Sequence, residues 1–369
     1  MAATFINPPD PSEVIFSSCI PDISARTYES KVAVSLVADP LGQPVTFFST
    51  SLYAFAGVVS LYDVGRLVES YFRAEGISHA MIGVTFDDAT AIFPVQFCDS
   101  LLPPDFTPDS SFYTAANAAV VHRSSSVSLA HADHGHRRYR VQVVGRDGAG
   151  RVASVEREFS RAAGSDYVSF SVDELVSWAL APDLSLAADF APSTTPGLLG
   201  ATLAAVDYFA ISYDSLQKCF FIVDEPEFLQ FRFRNCFNVP EFLDITATVK
   251  QSTEVSRSLA TCGGTARHYD QSALRTFEVS TGALSLHEAA AVEALVLSHS
   301  AEIICPDGPR PILITDHTLE QDNDPASLCS MKFTFRFPAS RIVATPTVAD
   351  LMAPPRSDIF TSEYSAEFA

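Results

Sequence analysis

The chain has 369 residues, a formal net charge of −20 and a mean hydropathy of +0.16. Hydrophobic residues make up 47% and charged residues 18%, which excludes a disordered chain and calls for a large core or partner subunits to cover the apolar surface. The acidity excludes ordinary nucleic-acid binding, which depends on clustered Lys and Arg.

Residues 1–28 are rich in Pro, Ser and Asp around the apolar patch Val14-Ile15-Phe16, and read as an extended N-terminal arm holding one short strand. A first β module with a helix is expected over 29–105. Lys31 to Ala38 alternates as a strand, Pro40 to Gln43 turns, and Val45 to Phe48 returns. A strand at Gly57 to Leu61 leads into a helix from about Asp63 to Ala74. Its Val64, Leu67, Val68, Tyr71 and Phe72 share one face, with Asp63 as the expected cap and Gly76 as the stop. A hairpin follows, from His79 to Phe86 and from Ala91 to Cys98 about Asp87-Asp88.

Residues 106–136 read as a connector. A second β module with a helix is expected over 137–227. Tyr139, Val141 and Val143 alternate with Arg140 and Gln142, Gly145 to Gly150 turns, and Val152 to Phe159 returns. A strand from Tyr167 to Val172 runs into a short helix from Asp173 to Leu180, capped by Ser171 or Asp173. After a Pro/Ser/Thr/Gly insertion over 181–200 comes a hairpin that turns at Asp214-Ser215.

A third β module with a helix is expected over 228–340. Phe231 and Phe233 alternate with Arg232 and Arg234 until Asn238-Val239-Pro240 breaks the strand. Ile245, Ala247 and Val249 alternate with Thr246 and Thr248. Gly263-Gly264 is a hairpin-type break, Leu274 to Val279 a strand, and Ser285 to Leu297 an Ala-rich helix. A hairpin turning at Asp307-Gly308 precedes Met331 to Phe337, which puts Phe333, Phe335 and Phe337 on one face. Residues 341–369 lack periodicity yet keep Leu351, Ile359, Phe360, Tyr364 and Phe368, and read as an extended C-terminal arm lying on a neighbouring surface.

One pattern recurs three times. Val59-Ser60-Leu61, Phe170-Ser171-Val172 and Leu284-Ser285-Leu286 each lead into a helix with an acidic first turn, at a period of about 110 residues. Behind each helix come a strand, an Asp-marked turn and a second strand. This order predicts three tandem sheet-plus-helix modules, a building part more than an enzyme.

Few residues suggest chemistry. His131, Asp133, His134 and His136 are four metal-type ligands in six residues. No distant pair completes a tetrahedron and Arg137-Arg138 follow at once, so a polar loop is expected. Asp87-Asp88 and Asp322-Asn323-Asp324 lack the ordered ligand series of a calcium loop and read as turns. Gly145 to Gly150 joins two strands, so it is a hairpin and not a phosphate cradle. Asp224, Glu225 and Glu227 are sequence neighbours, not carboxylates opposed across a cleft. Arg232 and Arg234 are expected to face a neighbour's acidic surface. Cys19, Cys98, Cys219, Cys236, Cys262, Cys305 and Cys329 hold no CxxC spacing and read as free thiols of a reducing cytosol. Met1 to Asp10 shows no secretory leader, and no apolar run is long enough to span a membrane. No catalytic residue, cofactor or metal is expected.

The stretch Phe231-Arg232-Phe233-Arg234-Asn235-Cys236-Phe237-Asn238-Val239-Pro240-Glu241, with Thr248-Val249-Lys250, Ser256-Arg257-Ser258 and Ser60-Leu61-Tyr62-Asp63-Val64, resembles tail-associated virion structural proteins of phages and prophages of gut Bacteroidetes. The resemblance implies a tail or baseplate protein packed in a symmetric ring, acting with other virion proteins and without catalysis. The expectation is therefore a mainly β (α+β) fold of tandem β-sandwich or barrel modules with extended arms. It forms a closed homo-oligomeric ring in a virion assembled in the host cytoplasm. Val14, Ile15, Phe16, Phe360, Tyr364 and Phe368 are the expected assembly contacts. The alternative is a carbohydrate- or receptor-binding β-sandwich; a single Trp argues against it.

Overall fold

The computed structural model describes residues 3–39, 42–99, 113–114, 118–129, 138–160, 167–180, 203–213, 216–223, 228–320, 329–338 and 351. The fold is mainly β. Among the described residues, 22 strands form five sheets beside three α-helices.

The first module lays down β1 (Thr4–Phe5), β2 (Ile15–Phe16) and β3 (Ile23–Arg26). Next come the hairpin of β4 (Lys31–Asp39) and β5 (Val45–Tyr53), then β6 (Val58–Leu61), α1 (Val64–Glu75) and the hairpin of β7 (His79–Phe86) and β8 (Ala89–Gln96). The large sheet runs β2-β8-β7-β4-β5 and a small one β1-β3-β6. Alternation sends Val34, Leu36 and Ala38 of β4 and their partners Phe86, Val84 and Ile82 of β7 to one face. Val64, Val68 and Phe72 of α1 and Ile23, Ala25, Val59 and Leu61 of the small sheet close over them. Each large aliphatic buried this way stabilises by about 1.5–3 kcal/mol.

Residues 1–28 are thus less an arm than expected, because Ile23 and Ala25 are fully buried in this core. The helix stops at Gly76, which adopts φ +66° and donates its N–H to the Phe72 carbonyl. Asp63 does not cap the helix as expected. It sits at φ +55° without a side-chain cap bond, and its own N–H donates to Asp22 Oδ1 at 3.0 Å.

The second module repeats this plan except for β1, which has no counterpart among the described residues. β9 (Ala118–His122) and β10 (Ser126–Leu129) fall in the stretch read as a connector. They precede the hairpin of β11 (Arg138–Asp147) and β12 (Val152–Ser160), β13 (Val168–Ser171), α2 (Val172–Leu180) and the hairpin of β14 (Leu203–Tyr213) and β15 (Leu216–Val223). Its sheets run β12-β11-β14-β15-β9 and β10-β13. In both modules the last hairpin strand carries a parallel neighbour, β2 on β8 and β9 on β15. Ser24 lies opposite Ser60 in the first small sheet and Ser126 opposite Ser171 in the second. Ser171 also accepts the Glu174 N–H, the expected cap of α2. Gly145 belongs to β11 and not to the turn: a Cβ there would stand 1.9 Å from the Ala205 carbonyl oxygen, so only glycine admits the close approach of β14.

The third module contains β16 (Leu229–Arg234), β17 (Pro240–Ile245), β18 (Thr248–Cys262), β19 (Thr265–Leu284), α3 (Leu286–Leu297), β20 (Ala301–Cys305), β21 (Gly308–Glu320) and β22 (Cys329–Arg336). Its seven-stranded sheet runs β17-β16-β20-β21-β22-β19-β18. The order β17-β16-β20-β21 matches β5-β4-β7-β8, so the repeated core is preserved. Two departures are the antiparallel β22 beside β21, where the first two modules carry a parallel strand, and the long β18–β19 hairpin, which stands in the chain where they have one short strand. Ser285 caps α3 in a reciprocal box with Glu288. Leu351 is fully buried in this module's core, so the C-terminal stretch touches its own chain at that point.

Candidate assembly interface

The segment between β16 and β17, quoted above for the resemblance, is where the modules meet. Asn235 Oδ1 accepts the N–H groups of Phe237 and Val239, and its Nδ2 donates to the Tyr113 carbonyl and to Glu241. Asn238 is buried at φ +57° and donates to the carbonyls of Phe72 (2.9 Å) and Ile77 (2.7 Å), at the end of α1. Arg234 Nη1 donates to the carbonyls of Gly76 and Asn238. Arg232 bonds Glu302 on the adjoining strand β20. Both arginines therefore have partners inside the chain. Lys218 of the second module reaches Glu241 of the third at 3.1 Å, with both side chains buried.

Phe16, an expected assembly contact, belongs to the same seam. It is 6% exposed and packs with Cys98, Tyr113, Phe237 and Val239, its ring edge-on to Tyr113 at 6.3 Å. Ile15 pairs with Val95 on β8, and Val14 and Ile15 are half-buried. Phe360, Tyr364 and Phe368 lie outside the described residues. So do His131, Asp133, His134, His136, Asp224, Glu225, Glu227 and Asp322 to Asp324. Asp87-Asp88 forms the β7–β8 turn, where Asp87 Oδ1 accepts the Ala33 N–H. Among the described residues no three His, Cys, Asp or Glu side chains gather as a metal site, and no helix is long and apolar enough to cross a membrane.

A second junction gathers His122, Ser125 and Asp244, residue types that serve nucleophilic catalysis elsewhere. The geometry differs from that use. The Asp244 carboxylate accepts the His122 backbone N–H at 2.6 Å, the Ser125 hydroxyl directly, and Gln230 Nε2 at 3.2 Å. The His122 ring instead stacks on Phe228 at 4.0 Å, and its Nδ1 meets the Ser124 hydroxyl. The imidazole is not interposed between serine and carboxylate, as general-base activation requires. Burial pushes Asp244 up to about 6 against the lowering effect of those three donors. Sequence reading missed this carboxylate because its partners lie far away along the chain.

The feature least explained by intramolecular packing is the β18–β19 hairpin. Beyond Gln251 and Phe277, among the described residues, its strands pair only with each other, because β19 joins β22 over Phe277 to Leu284. Beyond that point the ribbon extends roughly 35 Å, at about 3.3 Å per residue. It turns at Gly263 (φ +61°) and Gly264 (φ +82°), the pair of left-handed residues that a two-residue hairpin turn needs. A slip between Ser258 and Leu259 leaves Tyr269 as a bulge. Leu259 is 64% and Tyr269 71% exposed, and Val255 is exposed as well. No family model and no curated protein matches the chain.

Proposed function

We propose that the chain is a structural subunit of a tailed-phage particle, a tail or baseplate component that acts by assembling with copies of itself. The observation that carries this reading is the β18–β19 arm. A two-stranded ribbon is marginal alone in water, and this one has both faces exposed and apolar side chains uncovered. Such an element gains its stability when another surface covers it. Three similar modules, each with its own core, are an economical way to build a block for a ring. The resemblance in sequence supports the particle assignment. Electron microscopy of the purified chain is expected to show closed rings of one fixed subunit number. A field of single protomers at high concentration overturns the proposal.

A second reading, carbohydrate or receptor binding, is favoured by one observation. Tyr28, Tyr53 and Phe55 are each more than three-quarters exposed on adjoining loops and strand ends of the first module. Their backbones are tied together, since Ala54 N–H donates to the Ser30 carbonyl and Thr27 N–H to the Gly57 carbonyl. Aromatic faces of this kind stack on sugar rings. A glycan array in which binding is lost in Tyr53→Ala supports this reading.

A further inference from the structure

The assembly reading leaves open what receives the arm, and this inference rests on it. Charge is the first clue. Residues 252–276, the free part of the ribbon, carry Arg257, Arg267 and Arg275 against Glu254 and Asp270, a net of +1 in a chain of −20. The first module is the opposite: residues 3–99 hold eleven carboxylates against four Lys and Arg, a net of −7. A basic arm and an acidic module on one chain attract each other between copies, raising the rate of correct encounter.

The second clue is an unguarded edge. β5 ends its sheet, so among the described residues one row of its N–H and C=O groups has no strand beside it. It runs nine residues, Val-Thr-Phe-Phe-Ser-Thr-Ser-Leu-Tyr, with no charged residue and no proline. Proteins guard long edges with such residues, because an open edge is a template for another strand. The matching edge of the second module, β12, is guarded in this way by Glu156, Arg157 and Glu158. β5 is also held firmly in place: Phe47 stacks on Tyr71 of α1 at 4.4 Å. At its end the exposed side chains of Tyr53 and Phe55 precede Ala56, whose φ of +50° is a conformation that an alanine adopts only under strain.

We propose that the β18–β19 arm of one copy adds as an extra strand to the open edge of β5 in a second copy, with the exposed aromatic rings at the end of β5 beside the arm's arginines. The contact joins two different surfaces, so it propagates head to tail and closes into a ring if the rotation allows. Backbone hydrogen bonds supply most of the attraction and the charge difference supplies register and direction.

Two variants test this. In the first, residues 252–276 are replaced by an Asn-Gly turn joining Gln251 to Phe277, a native cross-strand pair. In the second, Ser49→Lys and Ser51→Lys place cations on exposed positions of β5. Sedimentation is expected to show each variant alone as a monomer. Mixed, they form a 1:1 dimer and nothing larger, because only one arm and one edge remain intact. Ser49→Glu with Ser51→Glu is expected to assemble at least tenfold more tightly than the Lys pair. Amide exchange of residues 45–53 slows in the wild-type assembly relative to the arm-shortened monomer, a readout that survives if the Lys pair does not fold. If the Lys variant assembles like wild type, or β5 exchange is unchanged, the docking proposal is overturned while the arm's role in assembly stands. If truncation after Leu351, and not shortening of the arm, exposes β5, the edge is covered by the chain's own C-terminal segment and the proposal is likewise overturned. A wild-type chain that never assembles overturns this inference together with the assembly reading.

Discussion

Lys218 of the second module holds Glu241 of the third across 3.1 Å, and both side chains are buried. Glu241 also accepts from Asn235, which ties the ion pair to the segment that gathers all three modules. The pair locates the strands on either side more than it stabilises them, since desolvating two charges offsets most of their attraction.

That balance gives the first prediction. Glu241→Ala leaves a buried ammonium unpaired and is expected to cost about 3–5 kcal/mol in denaturant unfolding. The double variant Lys218→Met with Glu241→Leu is expected to cost less than the single one. A double variant as unstable as Glu241→Ala contradicts the account.

Asn238 gives the second. It holds φ +57° and caps two carbonyls at the end of α1. Asn238→Ala loses both bonds and strains the backbone, with an expected cost of about 2–4 kcal/mol. Asn238→Gly keeps the conformation and is expected to cost less than the Ala variant. Thermal unfolding of the two variants checks the order.

Ala56 is the converse case. Its φ of +50° is relaxed by glycine, so Ala56→Gly is expected to raise stability by about 0.5–1 kcal/mol despite the looser unfolded chain. A loss of stability would place the strain elsewhere.

Asp244 predicts a pH dependence opposite to that of a salt-bridged carboxylate. Burial raises its folded pKa from 3.8 to about 6. Below about pH 4 both folded and unfolded chains keep the proton and the stability is full. Between pH 4 and 6 the unfolded chain releases it first, so stability falls as pH rises. Above pH 6 the whole cost is present, on the order of 3 kcal/mol for a shift of this size. Asp244→Asn is expected to flatten this slope. An unfolding midpoint that varies equally in wild type and variant between pH 4 and 6 contradicts the assignment.

Much of the fold was legible because its elements carry strong periods. The stripe Val64-Val68-Phe72 and the alternation of Phe231, Phe233, Phe333 and Phe335 mark one-sided burial, and the Ser that precedes each helix marks the repeat. The strands Ala118–His122 and Ser126–Leu129 were hidden because they are short and follow a stretch rich in turn residues. The arm was hidden for a different reason. Residues 250–274 are largely exposed on both faces, their apolar side chains included, so no alternation separates core from solvent, and only Gly263-Gly264 announced a turn. The role expected of Phe16 went to an internal seam, because an apolar patch in sequence does not reveal which chain covers it.

The arm itself has a dynamic signature. In a monomer its amides lack a third strand, so residues 251–274 are expected to exchange orders of magnitude faster than β4 or β7. In the assembly they are expected to become protected. Equal, fast exchange in both states contradicts a role for the arm at the interface.

The most direct test of the central claim is the native mass of the wild-type chain beside that of the arm-shortened variant, measured by light scattering at matched concentration. The account predicts a fixed multiple of the 39.9 kDa protomer for the first and a single folded protomer for the second. A wild-type chain at 39.9 kDa, or an arm-shortened chain with the same multiple, contradicts it.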